Sequence, residues 1–350
     1  MNNENGIVTA LNAQYDRYGY SRYKMSKFEE YDLYANNKDF LISDGVITFT
    51  DRNGKLMALK PDVTLSIVKN TAGKSGVQKL YYNENVYRVS KSTHNFKEIM
   101  QVGLECIGDT DAYCTAEVLT LAAASLSVIS GSAALCVSDL DLIIQTLGSL
   151  GVSEDSMKQA LSLVSEKNLH GIRELTGDEG AELFSKLFGV RGNIKTAVGR
   201  IKELLTGRAG ADTLAAFETV TDALSETGYA GVITIDPSVV GDVGYYNGFV
   251  FKGYVEGVPA AVLSGGQYDR LMAKMKRDSR AIGFAVYLDL LERLNEKKAD
   301  YDCDILALYS DKTDISSLMS AVDSLVKSGC TVSVRRSADN VKYKKLIRFD

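Results

Sequence analysis

The sequence predicts an α+β protein, and three observations carry the prediction. Strand-like runs with alternating faces come in pairs joined by turn or loop residues. A central stretch loses that alternation and reads as short amphipathic helices separated by glycine. Residues 303–350 then return as strand, helix, strand and a last short strand. Residues 1–150 and 232–297 therefore read as the main domain, 151–231 as a helical insertion, and 303–350 as a small α/β unit. The charged run Asn295–Asp302 reads as the linker before it.

Each element follows from local pattern. Ile7, Val8, Leu11 and Tyr15 sit at helical spacing over residues 5–18, and Gly19 stops the run. VITFTDRNGKLMALK (46–60) reads as two strands joined at Asp51-Arg52-Asn53-Gly54, whose side chains suit a turn. Residues 79–88 and 98–107 read as two further strands with a polar loop, 89–97, between them. A helix is expected from Ala112 to about Ser130, with Asp109, Thr110 or Asp111 as its cap and Gly131 past its end. A strand at Ala134–Val137 and a helix at Asp139–Leu147 follow. After the insertion, YYNGFVFKGYVEGVPAAVLSGGQYDRL (245–271) reads as strand, Glu-Gly turn and strand ending in Gly265-Gly266, and a helix is expected at about Phe284–Lys297.

Composition narrows the function classes. With 350 residues, 45% hydrophobic and 24% charged, the chain can bury a large core and has room for more than one domain. No apolar run approaches the ~20 residues a membrane helix needs, so no membrane partner is expected. The polar start MNNENGIVTALNAQYDRYG lacks a basic segment followed by an apolar block, so no secretion signal is expected. The five cysteines (Cys106, Cys114, Cys136, Cys303, Cys330) form no Cys-x-x-Cys pair. They read as reduced thiols in a cytoplasm, not as a zinc or disulfide framework. The two histidines, His94 and His170, lie in polar sequence and read as surface residues, so no metal site is expected. The net charge of −5 gives no electrostatic reason to expect nucleic acid, although it says nothing against a local basic groove.

Three constellations stand out. In EIMQVGLECIG, strand alternation puts Met100, Val102, Leu104 and Cys106 on one face, which must be core, and Gln101, Gly103 and Glu105 on the other. That polar face suits an amine or imidazole donor, or is simply solvated, as antiparallel sheets often are. In LKPDVTLS, Asp62 and Thr64 share a face if the segment is extended, which Pro61 favours. In KLYYNENVYR, Tyr82, Glu84, Val86 and Arg88 share a face. Arg88 at the strand end suits a phosphate or carboxylate, or is an ordinary surface arginine. Gly265-Gly266 matches neither GxGxxG nor GxxxxGK[ST], and GxSxG and HExxH are absent.

Taken together and in this order, these segments resemble the catalytic core of class II histidyl-tRNA synthetases over roughly residues 1–297. LKPDVT resembles the substrate loop, VYR…FKEIMQVGLECIG the second motif, YYNGFVF and GGQYD the histidine-specific strands, and AIGFAVYLDLL the third motif. The resemblance implies an antiparallel sheet flanked by helices, and a dimer. It also implies a histidine pocket made by Asp62, Thr64, Gln101, Glu105, Tyr246 and Tyr268, with Asp62 in place of the usual Glu and Arg88 as a phosphate or anion contact. The catalytic half departs from the pattern. Ser90 stands where a Glu is expected, and Gly241 and Leu290 stand where arginines are expected, Asp289 being the acidic residue before Leu290. Adenylation builds negative charge that preorganised cations must stabilise. Synthetase activity is therefore not expected, and no catalytic residue is assigned. YGYSRYKMSKFEEYDLY also lacks the proline expected before Phe28-Glu29, and residues 303–350 resemble only the start of an anticodon-binding domain.

YYNGFVFKGYVEGVP, SGGQYDRL and AIGFAVYLDLL look closer to a synthetase-like family, the regulatory subunits of ATP phosphoribosyltransferase. That resemblance implies no tRNA charging and no cofactor, with histidine as the candidate ligand. The implied partner is a short-form catalytic subunit in a hetero-octamer, which the chain activates in the first step of histidine biosynthesis. The alternatives are an active histidyl-tRNA synthetase or another synthetase-like paralogue.

Overall fold

A computed structural model describes residues 3–37, 45–71, 76–89, 95–241, 244–291 and 301–349, with side chains from Gly6 onward. The chain divides into two compact units, 1–293 and 294–350.

In the first unit, helix α1 (Asn3–Arg17) leads to the short strands β1 (Ser21–Arg22) and β2 (Phe28–Glu30) and helix α2 (Tyr31–Ala35). Strands β3 (Thr48–Thr50) and β4 (Leu56–Leu59) form the expected hairpin. At its turn the Asp51 carboxylate accepts from the Asn53 and Lys55 amides, and Gly54 has φ +81°. Helix α3 (Thr64–Asn70) precedes the long hairpin β5 (Gln78–Val89) and β6 (Phe96–Gly108), then helix α4 (Ala112–Ile129), strand β7 (Ala133–Asp139) and helix α5 (Leu140–Ser149). Of the three candidate caps for α4, Asp111 is the one used, accepting from the Cys114 amide at 2.9 Å. Four helices follow: α6 (Glu154–Ser165), α7 (Leu169–Phe188), α8 (Ile194–Leu205) and α9 (Ala211–Ser225). Then come β8 (Ile233–Ile235), β9 (Asn247–Val255), β10 (Leu263–Gln267), α10 (Asp269–Lys274) and β11 (Arg280–Tyr287).

The main sheet has the order β1-β5-β6-β11-β10-β9-β7-β8. Its central pairs are antiparallel, and only the edge pairs β1/β5 and β7/β8 are parallel. One face carries Val102, Leu104, Cys106, Phe251 and Phe284, all buried, and is covered by α1 and α4. Tyr15 of α1 ties these layers: its ring meets Tyr81 and Phe284, and it shares a 2.9 Å hydrogen bond with Ser125 of α4. By length and composition α4 could cross a membrane, a match not anticipated from the sequence. It is mostly buried, packed against α1, α9, β7, β9 and β11, where a uniformly apolar helix belongs. Helices α6–α9 pack on α4, α5 and β8 within the same unit.

Two expectations are corrected. The stretch around Asp62 is not extended: Val63 has helical angles (φ −89°, ψ −43°), α3 starts at Thr64, and the Asp62 carboxylate accepts from the Leu65 amide at 2.9 Å. Pro61 therefore stands ahead of the helix, outside its hydrogen-bonded turns, where its missing N–H costs nothing. The helix expected at Phe284–Lys297 is strand as far as Tyr287, followed by a 3-10 turn at Leu288–Leu290, and residues 292–300 lie outside those described. Phe284, Tyr287 and Leu288 mimic helical spacing. But Phe284–Tyr287 lie between β6 and β10, and pairing on both sides outweighs local propensity. Ser90 and His94 lie outside the described residues. His170 is exposed beside Glu174.

The second unit contains β12 (Cys303–Tyr309), α11 (Ile315–Lys327), β13 (Val332–Arg335) and β14 (Tyr343–Phe349). Its three-stranded parallel sheet has the order β13-β12-β14.

Between α3 and the β5/β6 hairpin, Lys60 is fully buried and forms a 2.8 Å ion pair with Glu84, which keeps some contact with water. Burial holds the Lys60 amine below its usual pKa, with Glu84 opposing that shift. Removing the amine leaves Glu84 without its partner. Lys60→Ala is expected to destabilise the protein by about 2–4 kcal/mol, somewhat below the cost of breaking a fully buried pair, measured by urea unfolding. A change within about 0.5 kcal/mol would show that the pair contributes little.

Candidate functional site

On the face opposite α1 and α4, small residues clear a floor across the central strands. Strand register sets Gly103 of β6 beside Ala285 of β11, and Ala285 beside Ser264 of β10. One row along, Glu105 stands beside Gly283, and Gly283 beside Gly266. A Cβ on Gly283 would lie 1.8 Å from Glu105 Oε2, and one on Gly266 would lie 2.7 Å from the Tyr246 ring. These glycines admit the side chains that build the pocket. Gly265 points the other way, toward Phe251 and Phe284 of the helical face. The cavity above the floor holds about 230 Å³, below the ~300–1,000 Å³ of drug-sized sites and in the range of one small metabolite.

Two reciprocal hydrogen bonds between separate chain segments position the tyrosines. Asn247 Nδ2 donates to Asp269 Oδ2 at 3.2 Å, and the Asp269 amide donates to Asn247 Oδ1 at 2.8 Å. Asp269 Oδ1 also accepts from the Ala281 amide. This cluster fixes the Tyr245-Tyr246 and Gln267-Tyr268 segments against each other, and the Tyr245 ring lies 4.6 Å from Tyr246 and 5.9 Å from Tyr268.

Glu105 is the centre of the site. It is 2% exposed and accepts from Thr64 Oγ1 at 2.7 Å and from the Tyr268 hydroxyl at 2.6 Å. Burial raises its pKa to about 8. The two hydroxyls pull it down and the nearby Asp62 pushes it up, but desolvation wins. Burial also raises Asp62, against the opposing pull of the Leu65 amide and Arg88. The Tyr82, Tyr245 and Tyr268 phenols are held neutral by burial. An ionisable carboxyl held protonated by burial in a Tyr-lined cavity suits a cationic ligand group, which can pair with its carboxylate form.

All six residues read from the sequence as a histidine pocket line this cavity, and so does Arg88, whose Nε donates to the Pro61 carbonyl at 3.0 Å. The solvated-face alternative for Gln101 and Glu105 does not hold, since they are 4% and 2% exposed. Gly241 lies at the cavity wall, whereas Leu290 sits on the 3-10 turn after β11 and does not line the cavity. Glu84 and Val86, on the Arg88 face of β5, are used in packing. Sequence reading missed Tyr82, Tyr245, Lys252, Ser264 and Tyr287 as lining residues. Alternation along β9, β10 and β11 carried a signal for Lys252, Ser264 and Tyr287, but it needed the strand order to interpret.

An antiparallel sheet with this cavity on one face and helices on the other defines the class II synthetase-like core. A family model described as histidyl-tRNA synthetase matches residues 1–291, and the chain belongs to that family. Similar curated proteins carry a more particular name. An ATP phosphoribosyltransferase regulatory subunit of Clostridium acetobutylicum is 24% identical, covering 98% of this chain and 88% of its own. Another, from Bacillus cereus, is 26% identical, covering 81% of this chain and 70% of its own. Among solved structures, an ATP phosphoribosyltransferase regulatory subunit/histidyl-tRNA synthetase from Bacillus halodurans superposes with a TM-score of 0.76 at 23% identity, covering 99% of this chain and 93% of its own. A histidyl-tRNA synthetase from Nostoc sp. PCC 7120 superposes with a TM-score of 0.72 at 14% identity, covering 95% and 81%.

The raised carboxyls make stability depend on pH. Glu105 rises from 4.5 to about 8 and Asp139, the buried cap of α5, from 3.8 to about 7, so at these two groups the folded chain holds protons that the unfolded chain has lost. Their contribution is full below about pH 4 and is lost as pH rises to about 8. Thermal unfolding followed by circular dichroism should show Tm falling across that window, and Glu105→Gln should flatten its upper part. The same slope in the variant would mean that Glu105 is not the titrating group.

Proposed function

We propose that this chain is a regulatory subunit of ATP phosphoribosyltransferase. It activates a short-form catalytic subunit in the first step of histidine biosynthesis and takes part in histidine feedback, without adenylating an amino acid itself. The observation that carries this reading is the wall of the pocket at Gly241, where a Cβ would lie 2.7 Å from the Tyr246 ring. The ring occupies the space an arginine would need there, so the pocket keeps its recognition surface while this position supplies no cation for an adenylation transition state. The names of the curated relatives support the same reading.

In this proposal histidine is the ligand. Its cationic end ionises Glu105, Gln101 supplies hydrogen bonds, Tyr246 and Tyr268 enclose the ring, Asp62 and Thr64 hold the loop side, and Arg88 contacts an anion. The carboxyl, with its raised pKa, makes occupancy a charge event: a proton leaves Glu105 as the ligand enters. Histidine and the catalytic partner are then coupled by differential binding to the states of the assembly. The assembly is a cytoplasmic hetero-octamer in which this chain dimerises.

Mixing the chain with a short-form catalytic subunit should give a larger co-eluting complex and stimulate phosphoribosyl-ATP formation. Separate elution with unchanged rates would overturn the proposal. Histidine-dependent ATP–pyrophosphate exchange should be at background, and robust exchange would instead make the chain a synthetase. Calorimetric titration of histidine should weaken at least tenfold in Glu105→Ala, and equal affinity would remove the pocket assignment.

A further inference from the structure

Resting on the reading of this cavity as an amino-acid pocket, we propose that Lys252 binds the carboxylate of the ligand and so selects a complete amino acid over the corresponding amine. Among the residues lining the cavity, Arg88 and Lys252 are the cations. Arg88 commits its Nε to the Pro61 carbonyl, and its charge acts on Asp62. The Lys252 side chain has no hydrogen-bond or ion-pair partner among the described residues. Yet it sits in the middle of β9, which is paired on both sides, and is only partly exposed. A half-buried ammonium with no counter-charge among the described residues gains from an incoming carboxylate.

The placement fits. Lys252 stands beside Ser264 in the ladder, and Ser264 beside Ala285, so it belongs to the row that forms the pocket floor. Val250, two residues back on the same face, lines the cavity with Gly241, where an added Cβ would lie 3.2 Å from its Cγ1. Strand β9 is three strands from β6 and Glu105, about 14 Å at ~4.8 Å per step. A cation and a carboxyl thus stand at opposite ends of a floor of small residues, a polarity that matches an amino acid whose carboxylate meets Lys252 and whose imidazole reaches toward Glu105. With Gly241 offering no side chain at this wall, Lys252 supplies the positive charge from the floor.

The test is isothermal titration of histidine and of histamine, which lacks the carboxylate, into wild type, Lys252→Met and Lys252→Arg, with thermal unfolding as a check that the variants fold. Wild type should prefer histidine at least tenfold. Lys252→Met should lose about tenfold for histidine while histamine changes less than twofold, and Lys252→Arg should restore most of the preference. If wild type binds histidine and Lys252→Met binds it equally, the role of Lys252 falls and the pocket reading stands. If wild type binds neither molecule, the pocket reading itself falls and the inference with it.

Discussion

The placement of the Glu105 carboxyl over the backbone of Gly283 is the constraint on which the site depends. A carboxyl in the middle of a sheet face needs space, hydrogen bonds and a way to tolerate desolvation. The missing side chain at Gly283 gives the space, since any Cβ there would overlap Oε2. Thr64 and Tyr268 give the hydrogen bonds, from segments far apart in sequence. Protonation answers desolvation at this carboxyl. Moving any of these parts would leave a buried polar group unpaired or displace the rings around it.

The opposite face of the same strands shows why the pocket can be open without weakening the fold. Val102, Leu104, Phe251 and Phe284 are buried under α1 and α4, while Leu80, Tyr82, Val86 and Ile107 join a second buried cluster with α3 beside the pocket, so the sheet draws apolar burial from both sides. The pocket floor is then free to carry glycine, alanine and serine where bulky residues would otherwise pack. The Asn247–Asp269 cluster joins the two tyrosine-bearing segments by hydrogen bonds beside that cluster.

Membership of the histidyl-tRNA synthetase family and the proposed regulatory role are compatible because fold and chemistry make separate demands. The sheet, its covering helices and the polar floor need only apolar alternation, small residues at the floor and paired carboxyls. Adenylation needs cations at fixed points as well. At Gly241 the Tyr246 ring stands against the backbone instead.

What the sequence by itself determined was local or additive: the β5/β6 hairpin, the Asp51–Gly54 turn, a capped start of α4 within Asp109–Asp111, and the split of β6 into an apolar and a polar face. All follow from side-chain periodicity and near-neighbour hydrogen bonds, which need no knowledge of the remainder of the chain. Motif order also assembled the pocket residues, although spacing left Gln101 and Glu105 open between a binding face and a wet one. Only the tertiary structure decided that question, because burial depends on what lies above a face, and Tyr82, Tyr245 and Tyr268 come from other segments. It likewise turned Phe284–Tyr287 into strand by pairing it on both edges, started a helix at Thr64 where extension was expected, and brought Lys252 into the cavity. Each of these rests on contacts between residues distant in sequence, which the order of amino acids specifies but local pattern does not display.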